Sequence, residues 1–139
     1  MTEIAITAGP YEFTARLEEE RAPRTCEFFL GLLPFRQKVI HVRWSGESTW
    51  IPLGDFEVPV GYENHTSHPA PGQILLYPGG ISETEILFPY GGCLFASKVG
   101  QLAANHFLTV TAGAEHLRDL GERCLWEGAQ DILFDRRSR

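Results

Sequence analysis

Side chains able to do chemistry crowd into residues 72–107 of this chain. Tyr77, Ser82, Glu83, Glu85, Tyr90, Ser97, Lys98, Asn105 and His106 all lie there. His106 belongs to a run, 105–111, in which it alternates in step with Leu108 and Val110. A strand there turns the imidazole toward the core or the mouth of a pocket. Its ordinary pKa near neutrality suits a general base, and a hydrogen-bonded core histidine is the plain alternative. Glu83 and Glu85 lie two apart and share a face with Leu87 if all three are in strand. A carboxylate on an apolar face must be paired or held neutral, which is how a catalytic acid is made. Lys98 is a partner within reach across a sheet, and an outward-facing ion pair is the competing reading. The catalytic candidates are therefore His106, Glu83 and Lys98. Asn64, His65, Trp50, Tyr77, Glu85, Tyr90 and Asn105 are the candidates for holding a ligand.

Metal and cofactor chemistry find less support. His65 and His68 form an H-x-x-H pair in a loop, but a catalytic zinc wants a third ligand and none is marked by spacing. Asn64 and His65 read better as holders of that loop or as its rim. Pro78-Gly79-Gly80 lacks the lysine and the strand-to-helix setting of a phosphate loop, and reads as a turn. No G-x-S-x-G elbow and no dinucleotide fingerprint occurs, so no metal and no cofactor is expected.

The elements that must position these groups are short. Ile4 and Ile6 open a strand that Gly9-Pro10 turns, and Tyr11, Phe13, Ala15 and Leu17 alternate with polar residues in the next. Pro23 suits a first helical turn, Cys26, Phe29, Leu30 and Leu33 follow at helical spacing, and Pro34 stops the helix. Ile40, Val42 and Trp44 share a strand face. Ser45-Gly46 turns the chain into a return strand over 47–53, and Phe56, Val58 and Val60 alternate again. A polar loop, 61–71, follows, of the kind that often rims a site. The apolar runs 74–77, 85–88 and 94–98 are strands punctuated by Gly and Pro. Leu117, Leu120, Cys124 and Leu125 give a second helix over 114–126, with exposed pairs Glu115–Arg118 and Asp119–Arg123, and Gly128 ends it. Ile132-Leu133-Phe134 adds a last packed segment.

With 139 residues, 43% apolar and 22% charged, the chain has the size and balance of one globular domain, residues 1–139. A net charge of −6 excludes nucleic acid as a main partner, and the basic tail Arg136-Arg137-Ser138-Arg139 reads as a frayed terminus. Three scattered cysteines, Cys26, Cys93 and Cys124, suit packed thiols in a reducing compartment. No leader and no membrane span is visible, so a cytoplasmic protein is expected. Seven or eight strands with two helices favour a mainly β fold, a closed antiparallel β-barrel or a closed sandwich with helical caps.

Three groups of residues carry a resemblance that covers nearly the whole chain. They are Asn64-His65-Thr66; Tyr77-Pro78-Gly79-Gly80 with Ser82, Glu83 and Glu85; and Ser97-Lys98 with Asn105-His106-Phe107. With the helix opening Ala22-Pro23-Arg24-Thr25-Cys26, they resemble an uncharacterised bacterial family of cyclophilin-like barrels. The broader fold implies prolyl isomerisation, but Ile40-His41-Val42-Arg43 stands where cyclophilins carry Phe-His-Arg, and their Gln-Gly-Gly-Asp turn is missing. Fold does not carry function. The expected function is binding of a small, carboxylate-bearing metabolite, with an acid/base step on it. A non-catalytic module that self-associates as a homo-oligomer or docks on a partner is the alternative, and the isomerase comes third.

Overall fold

A computed structural model describes residues 2–137. Eight strands close into an antiparallel barrel. They are β1 (Glu3–Ala8), β2 (Tyr11–Leu17), β3 (Phe35–His41), β4 (Gly46–Gly54), β6 (Gln73–Tyr77), β7 (Thr84–Cys93), β10 (Ala104–Ala112) and β11 (Gln130–Arg136). The spatial order is β2-β1-β11-β3-β4-β7-β6-β10, and pairing of β10 with β2 closes the ring. A two-residue strand, β5 (His65–Thr66), extends β10 beyond the end of β2. Two more, β8 (Ala96–Ser97) and β9 (Gly100–Gln101), pair only with each other.

Alternation decides which residues fill the barrel. Ile4, Ile6 and Ala8 on β1, Phe13, Ala15 and Leu17 on β2, and Ile86 and Phe88 on β7 all point inward and are buried. Helix α1 (Pro23–Leu30) drives Phe29 into this core, edge-on to Phe107 and Phe134 at centroid distances of 4.9 and 5.3 Å. Helix α2 (Leu117–Glu127), entered through a 3-10 turn at Ala114–His116, lays Leu117, Leu120 and Cys124 against the barrel. Gly121 faces β7 so closely that a Cβ there would collide with the Tyr90 ring.

The outer face of β6 and β7 matters more for function. Leu75, Tyr77 and Leu87 alternate with the inward residues, so they point away from the barrel. The chain from Phe95 to Ala104 folds back over them, and Phe95, Leu102 and Ala104 complete a second, smaller apolar cluster. The β8–β9 hairpin stands on that cluster. Ser45 fastens it, its hydroxyl donating to the Ala96 carbonyl and accepting from the Ala96 amide, both at 3.0 Å.

Several local expectations are corrected. The first helix ends at Leu30, with Gly31 as its cap, rather than running to Pro34. Strand β3 ends at His41, so Trp44 does not continue its face but lies 58% exposed in the turn beyond. Residues 55–62 form no strand despite the alternation of Phe56, Val58 and Val60; no neighbouring strand edge pairs with them. The run 94–98 shrinks to the short hairpin strand β8. Arg118 pairs with Glu47 and Arg123 with Glu127, not with Glu115 and Asp119. Arg136 is in strand and the Arg137 amide donates to the Glu3 carbonyl, while Ser138 and Arg139 lie outside the described residues.

Candidate functional site

A cavity of about 180 Å³ opens beneath the β8–β9 hairpin, on the outer side of the barrel wall. Its wall comes from β4 and β7, which present Trp50 and Glu85. The turn after β3 adds Arg43, Trp44 and Ser45, the turn before β7 adds Ser82 and Glu83, and the hairpin adds Ser97 and Lys98. Trp50 and Leu87 are paired across β4 and β7, and Glu85 precedes Leu87 by two residues, so all three share the outward face.

Glu85 is the unusual member. Only 6% of it is exposed, it lines the cavity, and no protein donor hydrogen-bonds to its carboxyl among the described residues. Burial, with a smaller contribution from the nearby Glu83 charge, pushes its pKa up to about 8. A carboxyl held this way stays protonated at neutral pH because its ionised form has lost water and gained no partner. Glu83 itself is exposed at the cavity edge. Lys98 and Arg43 are also at the edge, and neither forms an ion pair among the described residues.

Of the residues singled out from the sequence, Trp50, Glu83, Glu85 and Lys98 come together here. Tyr77 supports them from below. It is buried against Phe95, and its hydroxyl oxygen accepts from the amides of Ile81 and Ser82 at 3.1 and 3.2 Å, shaping the turn that carries Glu83. The other candidates lie elsewhere. His106 is half-buried on β10, where a register shift between His106 and Leu108 breaks the alternation that would have put them on one face. Its Nε2 lies 2.7 Å from Thr109 Oγ1, whose proton goes to Glu18 at 2.5 Å, so Nε2–H is the donor to Thr109. Burial holds the His106 pKa below its usual value, opposed by the Glu18 charge.

Asn105 is fully buried and fully used. Its Oδ1 accepts from the Glu63 amide at 3.1 Å, and its Nδ2 donates to Thr25 Oγ1 and the Gly61 carbonyl at 3.1 and 2.9 Å. It pins the 61–63 loop to the barrel. Asn64 adopts a left-handed backbone at φ 48° and donates to the His106 carbonyl at 2.9 Å. His65 is exposed beside the Tyr62 ring, and His68 is exposed too. No three of His, Cys, Asp and Glu gather to hold a metal among the described residues. Tyr90 lies against α2, sharing a 2.7 Å hydrogen bond with His41 Nε2 beneath the Arg118 guanidinium.

Arg43 and Ser45 belong to the cavity and were not singled out from sequence. The available signal was a turn, Arg43-Trp44-Ser45-Gly46, holding a cation and an indole where a tight turn needs neither.

Comparison with known proteins gives a family and a fold. A family model described as "Protein of unknown function (DUF3830)" matches residues 4–135. No curated protein matches the sequence. Among solved structures, McbB in complex with tryptophan superposes with a TM-score of 0.74 at 21% identity, over 98% of this chain and 45% of McbB. The chain thus spans less than half the length of that protein. A hypothetical protein from Archaeoglobus fulgidus matches with a TM-score of 0.61 at 14% identity, over 98% of this chain and 95% of that one. A cyclophilin-type peptidyl-prolyl cis-trans isomerase from Cryptosporidium parvum, solved in the presence of a dipeptide, matches with a TM-score of 0.60 at 14% identity, over 99% of both chains. The barrel is cyclophilin-like.

Proposed function

The chain belongs to the DUF3830 family, a family of unknown function, and for this member we propose a small-molecule-binding barrel in which Glu85 moves a proton on a small carboxylate-bearing metabolite. The observation that carries the reading is Glu85 itself, a buried carboxyl facing a cavity with no protein donor. With its pKa pushed up to about 8, it gives or takes a proton near neutrality at little cost, as a general acid or base must. Arg43 and Lys98, unpaired at the rim, suit a substrate carboxylate. Trp50 and Trp44 supply apolar walls that exclude water. At about 180 Å³ the cavity is small beside the roughly 300–1,000 Å³ of drug-sized sites, which favours a small metabolite.

McbB, which shares this fold over 45% of its length, was solved in complex with tryptophan, and that likeness supports testing amino-acid-sized ligands. The proton-transfer role assigned from sequence to His106 and Glu83 moves here to Glu85. His106 spends its Nε2 proton on the Thr109–Glu18 chain, and Glu83 acts through its charge on Glu85. The isomerase reading finds less support, because this cavity is lined by the acidic side chains Glu83 and Glu85 and not by apolar residues alone. Three free cysteines fit a reducing compartment such as the cytoplasm.

One observation favours a second reading, the docking or self-associating module. Ile81 and Val99, next in sequence to the cavity residues Ser82 and Lys98, are 73% and 60% exposed. A thermal-shift screen against small carboxylic acids, amino acids, sugars and nucleosides separates the two. A carboxylate hit abolished by Glu85→Gln is expected, worth about 2.7 kcal/mol of stability at a hundredfold excess over Kd. Silence across the library, with a dimer by light scattering, sinks the small-molecule reading in favour of the module.

A further inference from the structure

Two cationic and two acidic side chains surround one small cavity, and none of them enters an ion pair among the described residues. A ligand carrying only a carboxylate answers Arg43 and Lys98 but brings no cation to pair with Glu85 when it gives up its proton. A ligand carrying only an amine leaves both cations unanswered. An ammonium group and a carboxylate on one small body meet both sets. Glu85 makes the amine the stronger requirement, since it is buried, aimed into the cavity and without a hydrogen-bond partner from the protein. A buried carboxyl in that position is completed by a donor that the ligand must bring.

We propose that the natural ligand is an amino acid or close analogue with an apolar side chain, its ammonium group held by Glu85, its carboxylate by Arg43 and Lys98, and its apolar part against Trp50. This rests on the small-molecule reading of the same cavity and goes further by naming the ligand class.

The proton balance follows from the state of Glu85. At neutral pH the free protein holds it as the acid. The bound pair is carboxylate and ammonium, so the acid and the ligand ammonium combine with release of one proton to solvent. Affinity for an amine therefore rises with pH up to about 8 and levels off above it. A ligand that instead placed its carboxylate on Glu85 would need the acid form, and its affinity would fall above that pH. The charged and titratable groups around Glu85 are Glu83, which raises it, the rim cations Arg43 and Lys98, and the Cys93 thiol, whose own pKa is pushed up to about 11 chiefly by burial. None of these reverses the sign.

Calorimetry on the full chain with matched probe sets tests this. One set is phenylalanine, phenethylamine and hydrocinnamate; the other is leucine, isoamylamine and isocaproate. The amino acids are expected to bind at least about tenfold tighter than either single-charge analogue. Binding heats in buffers of different ionisation enthalpy should show close to one proton released below about pH 8, with affinity rising about tenfold per pH unit. In Glu85→Gln the proton release should vanish, amine affinity should drop at least about tenfold, and hydrocinnamate should be little affected. If hydrocinnamate or isocaproate binds as tightly as its amino acid, with affinity falling above pH 8, this inference is overturned while the carboxylate-binding reading stands. If no probe binds, both are overturned.

Discussion

Replacing Glu85 by glutamine should make the protein more stable at alkaline pH, although it alters a buried polar residue. The folded protein holds the carboxyl at a pKa of about 8, against 4.5 for an unshielded side chain. An acid whose folded pKa is raised binds its proton more tightly folded than unfolded. Its favourable contribution is complete below the unfolded value, is lost steadily as pH rises, and is gone once the folded value is passed. At about 1.36 kcal/mol per pH unit, the wild type should lose roughly 3 kcal/mol between about pH 5 and pH 8 through this residue alone. That is a large share of a typical stability of about 5–15 kcal/mol. Glutamine has nothing to titrate, so the variant should not show the loss. Urea unfolding at a series of pH values reads the effect as a relative shift in midpoint of about 1–2 M across the window. Other groups titrate too, but they cancel in the difference between the two proteins. Glu47 and Asp131 are held below their ordinary values by Gly92 with Arg118 and by Lys38, so they act only in acid. Parallel stability curves for wild type and Glu85→Gln would refute the claim that burial holds this carboxyl neutral.

Two further outcomes follow from the same structure. Phe95→Ala removes the fully buried ring that anchors the β8–β9 hairpin to the outer cluster; it should cost about 3–5 kcal/mol and abolish ligand-induced thermal shifts. Far-UV circular dichroism should still report the barrel, and a cost below about 1 kcal/mol would show that the cluster does not hold the hairpin. His106→Gln should leave those ligand shifts intact, because His106 is not part of the cavity. Its folded pKa is depressed, so in the wild type stability is lost as pH falls below the ordinary histidine value of about 6.5. That part of the acid-side slope should disappear in the variant, and loss of ligand binding instead would put the imidazole back in the site.

Period-two patterning made most of the barrel legible from the sequence. On β1 and β2 the residues Ile4, Ile6, Phe13, Ala15 and Leu17 alternate onto the face that meets the core, so strand existence and inward register follow from residue type alone. The same reasoning failed where the pattern is local and the decision is not. Phe56, Val58 and Val60 alternate as a strand would, yet no neighbouring edge pairs with them, and pairing cannot be seen from one segment. His106 and Leu108 keep strand spacing, but a register shift against β6 separates their faces.

The site divides along the same line. Residue types and spacing alone marked Glu83, Glu85, Lys98 and Trp50 as able to do chemistry. Only the tertiary fold decided that these four line one cavity, that Arg43 and Ser45 join them, and that His106, Asn105 and Tyr90 are engaged elsewhere. The reason is that β4 and β7 are neighbours in the sheet though more than thirty residues separate their pairing partners, such as Trp50 and Leu87. The hairpin that roofs the cavity is held by Phe95 and Leu102 on an outer face whose apolar character reads, in sequence, as one more buried strand.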